Sequence, residues 1–377
     1  MPKPKVAIYG MTTEGYLLAS KIIEKASVTI IDDTLQMAME LEQQSVKSHK
    51  DLYALVGEES LMGLKPIPQV LADSAVVFFT PKLRRGIDEA VIEASTKLRE
   101  IAKYVSKGVL IVNTLPTGIG GNADNISLLE KQTGLNVGDS LNYAYCPLLP
   151  RSGDPKFLSL VSNSAHNMLD EIGLKVTAIK LVKSELRYVS QVLEKTMKIT
   201  ARVELMRRAR EQKVNDKLEN DEGYIDELTS HLYDLTAIQS SEDVGEPITY
   251  MASAAIKSLE NHVRYVVDQT REMLRELQLK ASRTKVVVAW SIDKYEMKAD
   301  RSQTAVGMVE RMRDYVTDVE HAQSSTFGQG AQVLNPYKHN IVIACSAADY
   351  EWVKGLRKAN RGVETSILKA TPSLETE

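Results

Sequence analysis

The sequence predicts an α/β protein with a parallel sheet at each end and a block of long helices between them. Three observations predict this fold class. Short apolar runs alternate with helical patterns in the first part of the chain, and a helical spacing then continues for about a hundred residues. Strand signals return after Arg283. Repeated alternation of strands and helices implies parallel sheets with right-handed crossovers.

The strands of the N-terminal part are predicted from short apolar runs, which are typical of strands buried on both faces. These runs are residues 5–9, 28–33, 76–79, 109–112 and 142–146. Between the third and fourth runs, residues 86–107 have the pattern of an amphipathic helix that ends near Gly108. The N-terminal part is therefore predicted to contain a parallel sheet covered by helices.

The central part is predicted to consist of long helices. Apolar residues keep a roughly helical spacing through a segment with no internal proline or glycine, namely Ile256, Leu259, Val263, Val266 and Leu274. A helix of that length usually packs against another long helix, in the same chain or in a second subunit. We therefore expect a homodimer formed through the central helices.

A second and smaller α/β unit follows. Residues 285–290 and 340–345 are predicted strands, and residues 302–316 are a predicted helix. The predicted division is an N-terminal domain at 1–180, a central helical block at 181–281, and a C-terminal domain at 282–366. Residues 367–377 are predicted to be a loose tail.

Bulk properties exclude several classes of protein. The net charge of −3 gives no global attraction to nucleic acid or to anionic membranes. No apolar run reaches the length of a membrane span, and the N-terminus lacks the apolar core of a signal peptide. The two cysteines lie far apart and show no metal-ligand spacing. We expect a cytoplasmic protein without a metal site.

The first strand leads into a glycine turn that is typical of dinucleotide binding. Gly10 and Gly15 match the outer glycines of the G-x-G-x-x-G pattern, and Asp32 and Asp33 end the second strand about twenty residues later. An acid at this position favours NAD over NADP. The middle glycine is replaced by Thr12, whose Cβ would force a phosphate outward. A tight turn that needs its glycines for packing alone remains the alternative.

Several strings, in order along the chain, resemble the UDP-glucose/GDP-mannose dehydrogenase family. They are Phe79-Thr80-Pro81, Asn113-Thr114-Leu115-Pro116-Thr117-Gly118, Ala144-Tyr145-Cys146-Pro147, Lys294 with Asp300-Arg301-Ser302, and the turn at 344–350. The resemblance implies an N-terminal Rossmann-like sheet, a central long-helix block and a smaller C-terminal Rossmann-like domain. It also implies an NAD-dependent oxidoreductase that acts on a nucleotide sugar.

The same resemblance suggests which residues bind each ligand. Thr80, Pro81 and Thr114 fall where the family contacts the nicotinamide. Lys294 and Arg301 fall in the segment that shapes the nucleotide-sugar end of the family's site. The turn residues and the two aspartates would complete the cofactor site. A solvated, charged loop around Lys294 remains the alternative.

The family's catalytic residues are absent from the matching positions. Gly245 stands where the nucleophilic cysteine would fall, Leu148 replaces the glutamate, and Tyr188 and Val192 replace the lysine and the asparagine. Oxidation of an alcohol to an acid through a thiohemiacetal needs the thiolate nucleophile. The full four-electron reaction is therefore not expected.

Two candidate catalytic residues and two main functions remain open. Cys146 follows a strand at the edge where α/β sites form, but a lone cysteine in an apolar strand is more often a small core residue. Thr114 is the second candidate. The first function is a single two-electron NAD-linked oxidoreductase, and the alternative is a catalytically silent homologue that binds a nucleotide or serves assembly. A third possibility is another cofactor in the cleft between the domains.

Overall fold

The computed structural model describes residues 2–57, 63–149, 152–153, 158–160, 163–174, 177–212, 214, 223–241, 245–324 and 333–374. The α/β fold class is confirmed, with two separate sheets. The chain divides into two compact units, which do not coincide with the predicted segments. Unit 1 comprises Met1–Gln191, Thr236–Val244 and Asp293–Ala299, and unit 2 comprises Val192–Leu235, Gly245–Ile292 and Asp300–Glu377.

Unit 1 contains a nine-stranded sheet in the order β4-β3-β2-β1-β5-β6-β7-β8-β9. The strands are β1 (Lys5–Tyr9), β2 (Ser27–Asp32), β3 (Met37–Glu40), β4 (Gly63–Lys65), β5 (Val76–Phe79), β6 (Leu110–Asn113), β7 (Asn142–Tyr145), β8 (Leu158–Leu160) and β9 (Ala178–Ile179). The five central strands β2, β1, β5, β6 and β7 are parallel, while β3 and β8 pair antiparallel with their inner neighbours. Strand order reverses direction between β1 and β5, and ligands of open α/β sheets bind at such a switch point.

The helices that begin in unit 1 are α1 (Thr13–Ile22), α2 (Gln43–Ser48), α3 (Leu52–Gly57), α4 (Ile67–Asp73), α5 (Ile87–Ala102), α6 (Gly121–Thr133), α7 (Asn163–Glu171) and α8 (Leu181–Glu211). Helix α5 buries Ala90, Ala94, Leu98 and Ile101, which follow the helical period. It ends before the predicted residue 107, because the amides of residues 103 and 104 bond three residues back in a tight turn.

Unit 2 contains a four-stranded, fully parallel sheet in the order β11-β10-β12-β13. Its strands are β10 (Thr284–Ala289), β11 (Asp318–Ala322), β12 (His339–Ala344) and β13 (Thr365–Lys369). The remaining helices are α9 (Ile225–Thr229), α10 (Leu232–Ser241), α11 (Pro247–Glu276), α12 (Asp300–Arg313) and α13 (Ala347–Ala359). Helix α11 buries Leu259, Val263, Val266 and Leu274, as the apolar spacing predicted.

The predicted tail differs from the structure up to residue 374. Strand β13 runs through its first residues, and Ile367 and Leu368 are fully buried beside β12. Leu374 is buried as well. The edge of the small sheet supplies the apolar surface that holds these residues, so the loose-tail prediction is corrected there. Residues 375–377 lie outside the described residues.

None of the helices in the described ranges combines the length and the apolar character that a bilayer span requires.

Candidate functional site

The turn after β1 needs a glycine because another strand end lies against it. Gly10 has a φ of +120°, and a Cβ on it would lie 1.9 Å from the carbonyl oxygen of Thr80. The Thr80 amide also donates to the Tyr9 carbonyl at 2.9 Å. Close packing between the ends of β1 and β5 therefore accounts for Gly10 without a ligand.

Thr12 caps the N-terminus of α1, the helix end at which the glycine pattern predicts a bound phosphate. Its side-chain oxygen accepts a hydrogen bond from the Gly15 amide at 3.1 Å and donates to the Thr80 carbonyl at 3.3 Å. The residue is fully buried. The Thr12 hydroxyl is thus directed into the protein and takes one of the free amides at the start of α1.

Residues Asp293–Ala299, which we call the covering segment, lie at the same helix start within unit 1. The Thr13 amide donates to the Tyr295 carbonyl at 2.8 Å, and the Thr13 hydroxyl donates to the Asp293 carboxylate. The carboxylate of buried Glu14 accepts from the Met297 amide at 3.0 Å. The chain itself therefore fills the space next to the N-terminus of α1.

The covering segment also reaches the residues predicted to border the nicotinamide. The Thr114 hydroxyl donates to the Phe79 carbonyl at 2.6 Å and lies 3.8 Å from the sulfur of Met297. The Thr80 hydroxyl donates to the Tyr9 carbonyl at 3.3 Å. Thr80, Pro81 and Thr114 are all buried at adjoining strand ends. The structure brings these residues together, with both hydroxyls engaged by backbone carbonyls.

The two aspartates that follow β2 have different environments. One oxygen of Asp32 accepts from the Thr34 and Leu35 amides at 2.8 and 3.1 Å, which fixes the carboxylate at the strand end. The carboxylate of Asp33 is buried in an ion pair with Lys97 of α5. Asp33 is thus paired with α5, whereas Asp32 lines a cavity.

A cavity of about 510 Å³ lies beside Asp32. Most of its lining is apolar and includes three methionines, and its charged groups are Asp32, Lys82 and Arg84. The remaining lining residues are Met11, Thr34, Leu35, Met37, Met39, Val56, Leu64 and Tyr295. Burial lowers the pKa of Lys82, and the nearby Arg84 lowers it further. A cavity of this size and character suits one small organic ligand with an anionic group.

Of the four positions that carry catalysis in the resembling family, three hold residues without a reactive side chain and the fourth holds a buried tyrosine. Leu148, Tyr188 and Val192 are buried, and Gly245 is exposed with a φ of +115°. Burial raises the pKa of the Cys146 thiol to about 12, so the thiol stays protonated at neutral pH. Cys146 is thus a buried core residue, and its protonated thiol does not support the prediction of a displaced nucleophile. In the described part of the chain, no group of three acidic, histidine or cysteine side chains could hold a metal ion.

The two predicted substrate-binding cations have partners of their own. The ammonium of Lys294 lies 3.9 Å from the ring centroid of Tyr53 and 4.7 Å from that of Tyr295, all within unit 1. In unit 2, buried Arg301 pairs with Asp226 at 3.0 Å. Each cation therefore has its partners within its own unit.

The residues present at the turn do not fit the pyrophosphate of NAD. Such a group binds free amides at a helix N-terminus, in the positive end of the helix dipole. Here the Thr13 and Gly15 amides already have acceptors, and the Glu14 and Asp293 carboxylates lie beside them. The buried Glu14 carboxylate would repel a second anion.

Sequence reasoning missed the residues that close this turn. Glu14 and Met297 lie 283 positions apart, and no local pattern connects them. Lys82 and Arg84 were missed as well, although a basic run directly after β5 and Pro81 is visible in the sequence. A basic run at the carboxyl edge of a parallel sheet is a usable signal for an anion site.

Comparison with known proteins gives a fold likeness. No family model matches the chain, and no curated protein sequence matches it. The structure of a UDP-D-ManNAc dehydrogenase from Pyrococcus horikoshii is similar, with a TM-score of 0.65, 14% identity, and coverage of 98% of this chain and 96% of that one. A UDP-glucose dehydrogenase from Pyrobaculum islandicum gives a TM-score of 0.60, 13% identity, and coverage of 98% and 94%.

A third solved structure points the same way. It is the NDP-N-acetyl-D-galactosaminuronic acid dehydrogenase from Methanosarcina mazei, with a TM-score of 0.53, 14% identity, and coverage of 95% of this chain and 89% of that one. The likeness extends over both compact units. The resemblance predicted from the ordered strings is confirmed at the level of the fold: this chain has the fold of the nucleotide-sugar dehydrogenases.

Proposed function

We propose that this chain binds a purine mononucleotide in the cavity beside Asp32 and does not transfer hydride. The observation that carries the proposal is the cavity itself, which combines apolar walls with one oriented carboxylate and two cationic side chains. It lies at the carboxyl edge of β2 and β5, where open α/β sheets bind ligands. The proposal keeps the nucleotide-binding alternative that the sequence left open.

Each part of the cavity suits one part of such a ligand. A carboxylate at the end of the second strand accepts hydrogen bonds from ribose hydroxyls, and Asp32 is held there by two backbone amides. Methionine sulfur packs favourably against aromatic rings. The nucleotide's base would pack against Met11, Met37 and Met39 in the cavity. Lys82 and Arg84 would bind the phosphate as cations.

Two features of the chain support the absence of hydride transfer. Gly245, Leu148 and Val192 can neither attack a carbonyl nor move a proton, and Tyr188, which stands in place of the family's lysine, is buried. The Cys146 thiol is held protonated by burial. A protein can keep the scaffold of an enzyme and use it for binding, because function depends on the site and not on the fold.

A second candidate is an NAD-dependent oxidoreductase that acts on a nucleotide sugar by a two-electron reaction. The observation that favours it is the fold likeness to nucleotide-sugar dehydrogenases over nearly the whole chain. Its test is the formation of NADH from NAD with a panel of UDP- and GDP-sugars, followed at the nicotinamide absorbance band. Turnover with any of them would overturn the proposal of a silent protein.

Calorimetric titration with AMP tests the binding proposal directly. We expect binding to the wild-type protein and about tenfold weaker binding to Arg84→Ala, because a charge-assisted hydrogen bond to phosphate is lost. Arg85→Ala is the matched control, since Arg85 lies outside the cavity lining and pairs with Glu89. No heat of binding at millimolar AMP would contradict the proposal, as would equal losses in the two variants.

A further inference from the structure

We propose that the covering segment occupies the position of a pyrophosphate at the N-terminus of α1. The cavity beside Asp32 then admits a mononucleotide and excludes a dinucleotide. The inference rests on the proposed function where it names what the cavity admits. Exclusion itself rests only on contacts within the protein. It assigns the role of ligand selection to residues that follow β10 in the chain but belong to unit 1.

Two amides at the start of α1 already have hydrogen-bond acceptors within the protein. A pyrophosphate on a helix N-terminus needs amides without acceptors. The Tyr295 carbonyl accepts a hydrogen bond from the Thr13 amide at 2.8 Å, and the Thr12 hydroxyl oxygen accepts one from the Gly15 amide at 3.1 Å. A backbone carbonyl and a side-chain hydroxyl thus make the contacts that a phosphate would otherwise make.

Two carboxylates of the protein lie at the start of α1. Glu14 is buried in the first turn of α1, where a carboxylate is favoured by the helix dipole. Asp293 contacts the neighbouring Thr13 hydroxyl. The negative charge that the helix end attracts is therefore supplied by the protein, and a ligand pyrophosphate would bring further negative charge against it.

Several contacts hold the covering segment in place. The Met297 carbonyl accepts from the Leu83 amide at 2.8 Å, while the Met297 amide donates to Glu14 at 3.0 Å. Tyr295 packs edge-on against Tyr53 at 5.1 Å and lies under the ammonium of Lys82 at 4.9 Å. The covering segment is thus bonded on both sides and cannot be displaced by breaking one contact.

Two residues of the covering segment contact the cavity and the predicted nicotinamide position. Tyr295 lines the cavity, and its backbone carbonyl accepts a hydrogen bond from the Thr13 amide at the start of α1. A nucleoside with one phosphate can occupy the cavity and use Lys82 and Arg84. A dinucleotide would also need the predicted nicotinamide position at Thr114, where the Met297 sulfur lies 3.8 Å from the Thr114 hydroxyl.

The test combines amide hydrogen exchange with two titrations. We expect the Met297 amide to be protected in the ligand-free wild-type protein and in Glu14→Gln, which keeps an acceptor, and to lose protection in Glu14→Ala. Glu24→Ala is the control, because Glu24 is an exposed acid paired with Lys47. An unprotected Met297 amide in the wild type would overturn the inference without any ligand.

The titrations compare NAD with AMP on the wild-type protein. We expect NAD to bind at least about tenfold more weakly than AMP, because its pyrophosphate would have to break existing hydrogen bonds. NAD binding as tight as AMP would overturn the exclusion of dinucleotides. If neither nucleotide binds, the proposed function fails, and amide exchange alone decides the role of the covering segment.

Discussion

Gly10 gives the clearest prediction for a single residue. Its φ of +120° is strained for any other residue, and an added Cβ would lie 1.9 Å from the Thr80 carbonyl oxygen. We expect Gly10→Ala to lower the free energy of unfolding by at least about 3 kcal/mol, since backbone strain and a steric clash act together. Denaturant unfolding followed by circular dichroism measures the change.

Gly108 supplies the control for that substitution. It has a φ of +86°, but a Cβ there would meet nothing within 4 Å. Gly108→Ala should therefore show the cost of strain alone, about 1 kcal/mol. Equal losses for the two variants would mean that the approach of β5 to the turn is looser than the structure shows.

Lys82 makes ligand binding depend on pH. Its pKa lies below the ordinary 10.5, because burial and Arg84 both disfavour the charged form. A bound phosphate favours that charged form, so AMP affinity should fall as pH rises through the lowered pKa, starting below 10.5. Calorimetric titrations at increasing alkaline pH measure this fall.

Lys82→Arg separates this cause from general effects of alkali. Arginine keeps its charge across the range, so the variant should retain AMP affinity at the pH where the wild type loses it. A parallel decline of both proteins would show that Lys82 is not the titrating group.

Glu185 gives the prediction for an element, helix α6. Its carboxylate accepts from the Gly120 and Asn122 amides, both at 3.1 Å, and from the Asn122 side chain at 2.8 Å. We expect Glu185→Ala to destabilise the protein by about 2–3 kcal/mol, because buried donors at the start of α6 would lose their acceptor. Thermal unfolding should show this loss as a lower melting temperature. Glu194→Ala is the control, and it should change the melting temperature little because Glu194 is at an exposed position of α8. A stable Glu185→Ala protein would mean that water replaces the carboxylate.

Elements with strong local patterns could be predicted from the sequence, and their partners could not. The apolar runs placed β1, β5 and β6 within one residue of their observed bounds, because burial on both faces leaves a continuous apolar run. The covering segment has no such pattern. Its contacts with α1 depend on how distant parts of the chain pack, and they therefore appear only in the structure.

The same limit applies to the candidate site. The sequence could place Asp32 and Asp33 at the end of a strand, but it could not show that Lys97, 64 positions away, binds Asp33. It could identify Gly10 as a turn residue, but a nucleotide turn and a packing turn have the same glycine. Only the position of the Thr80 carbonyl distinguishes them.

At the scale of the whole molecule, the order of the elements was predictable and the division into units was not. The periodicity changes along the chain and so reports the succession of sheet, long helices and second sheet. The division into compact units depends in addition on contacts between segments that are distant in the sequence. Unit 1 includes Thr236–Val244 and Asp293–Ala299, which come long after its first segment ends. Periodicity does not show that a later segment of the chain packs in an earlier unit.

The proposed homodimer through the central helices is the last prediction. Helix α11 exposes Tyr250 at 63% and Met251 at 39%, and large apolar side chains on a long helix suit contact with a second copy. We expect light scattering to give twice the mass of one chain. Tyr250→Glu should weaken the dimer about 30-fold or more, since aromatic residues dominate such interfaces.

The control is a more exposed tyrosine outside the central helices. Tyr337 is 92% exposed in the loop before β12, so Tyr337→Glu should leave the dimer intact. A wild-type protein that scatters as a monomer would contradict the dimer itself. A dimer that dissociates with Tyr337→Glu and persists with Tyr250→Glu would place the interface away from α11, because an interface loses most affinity where a buried aromatic residue is removed.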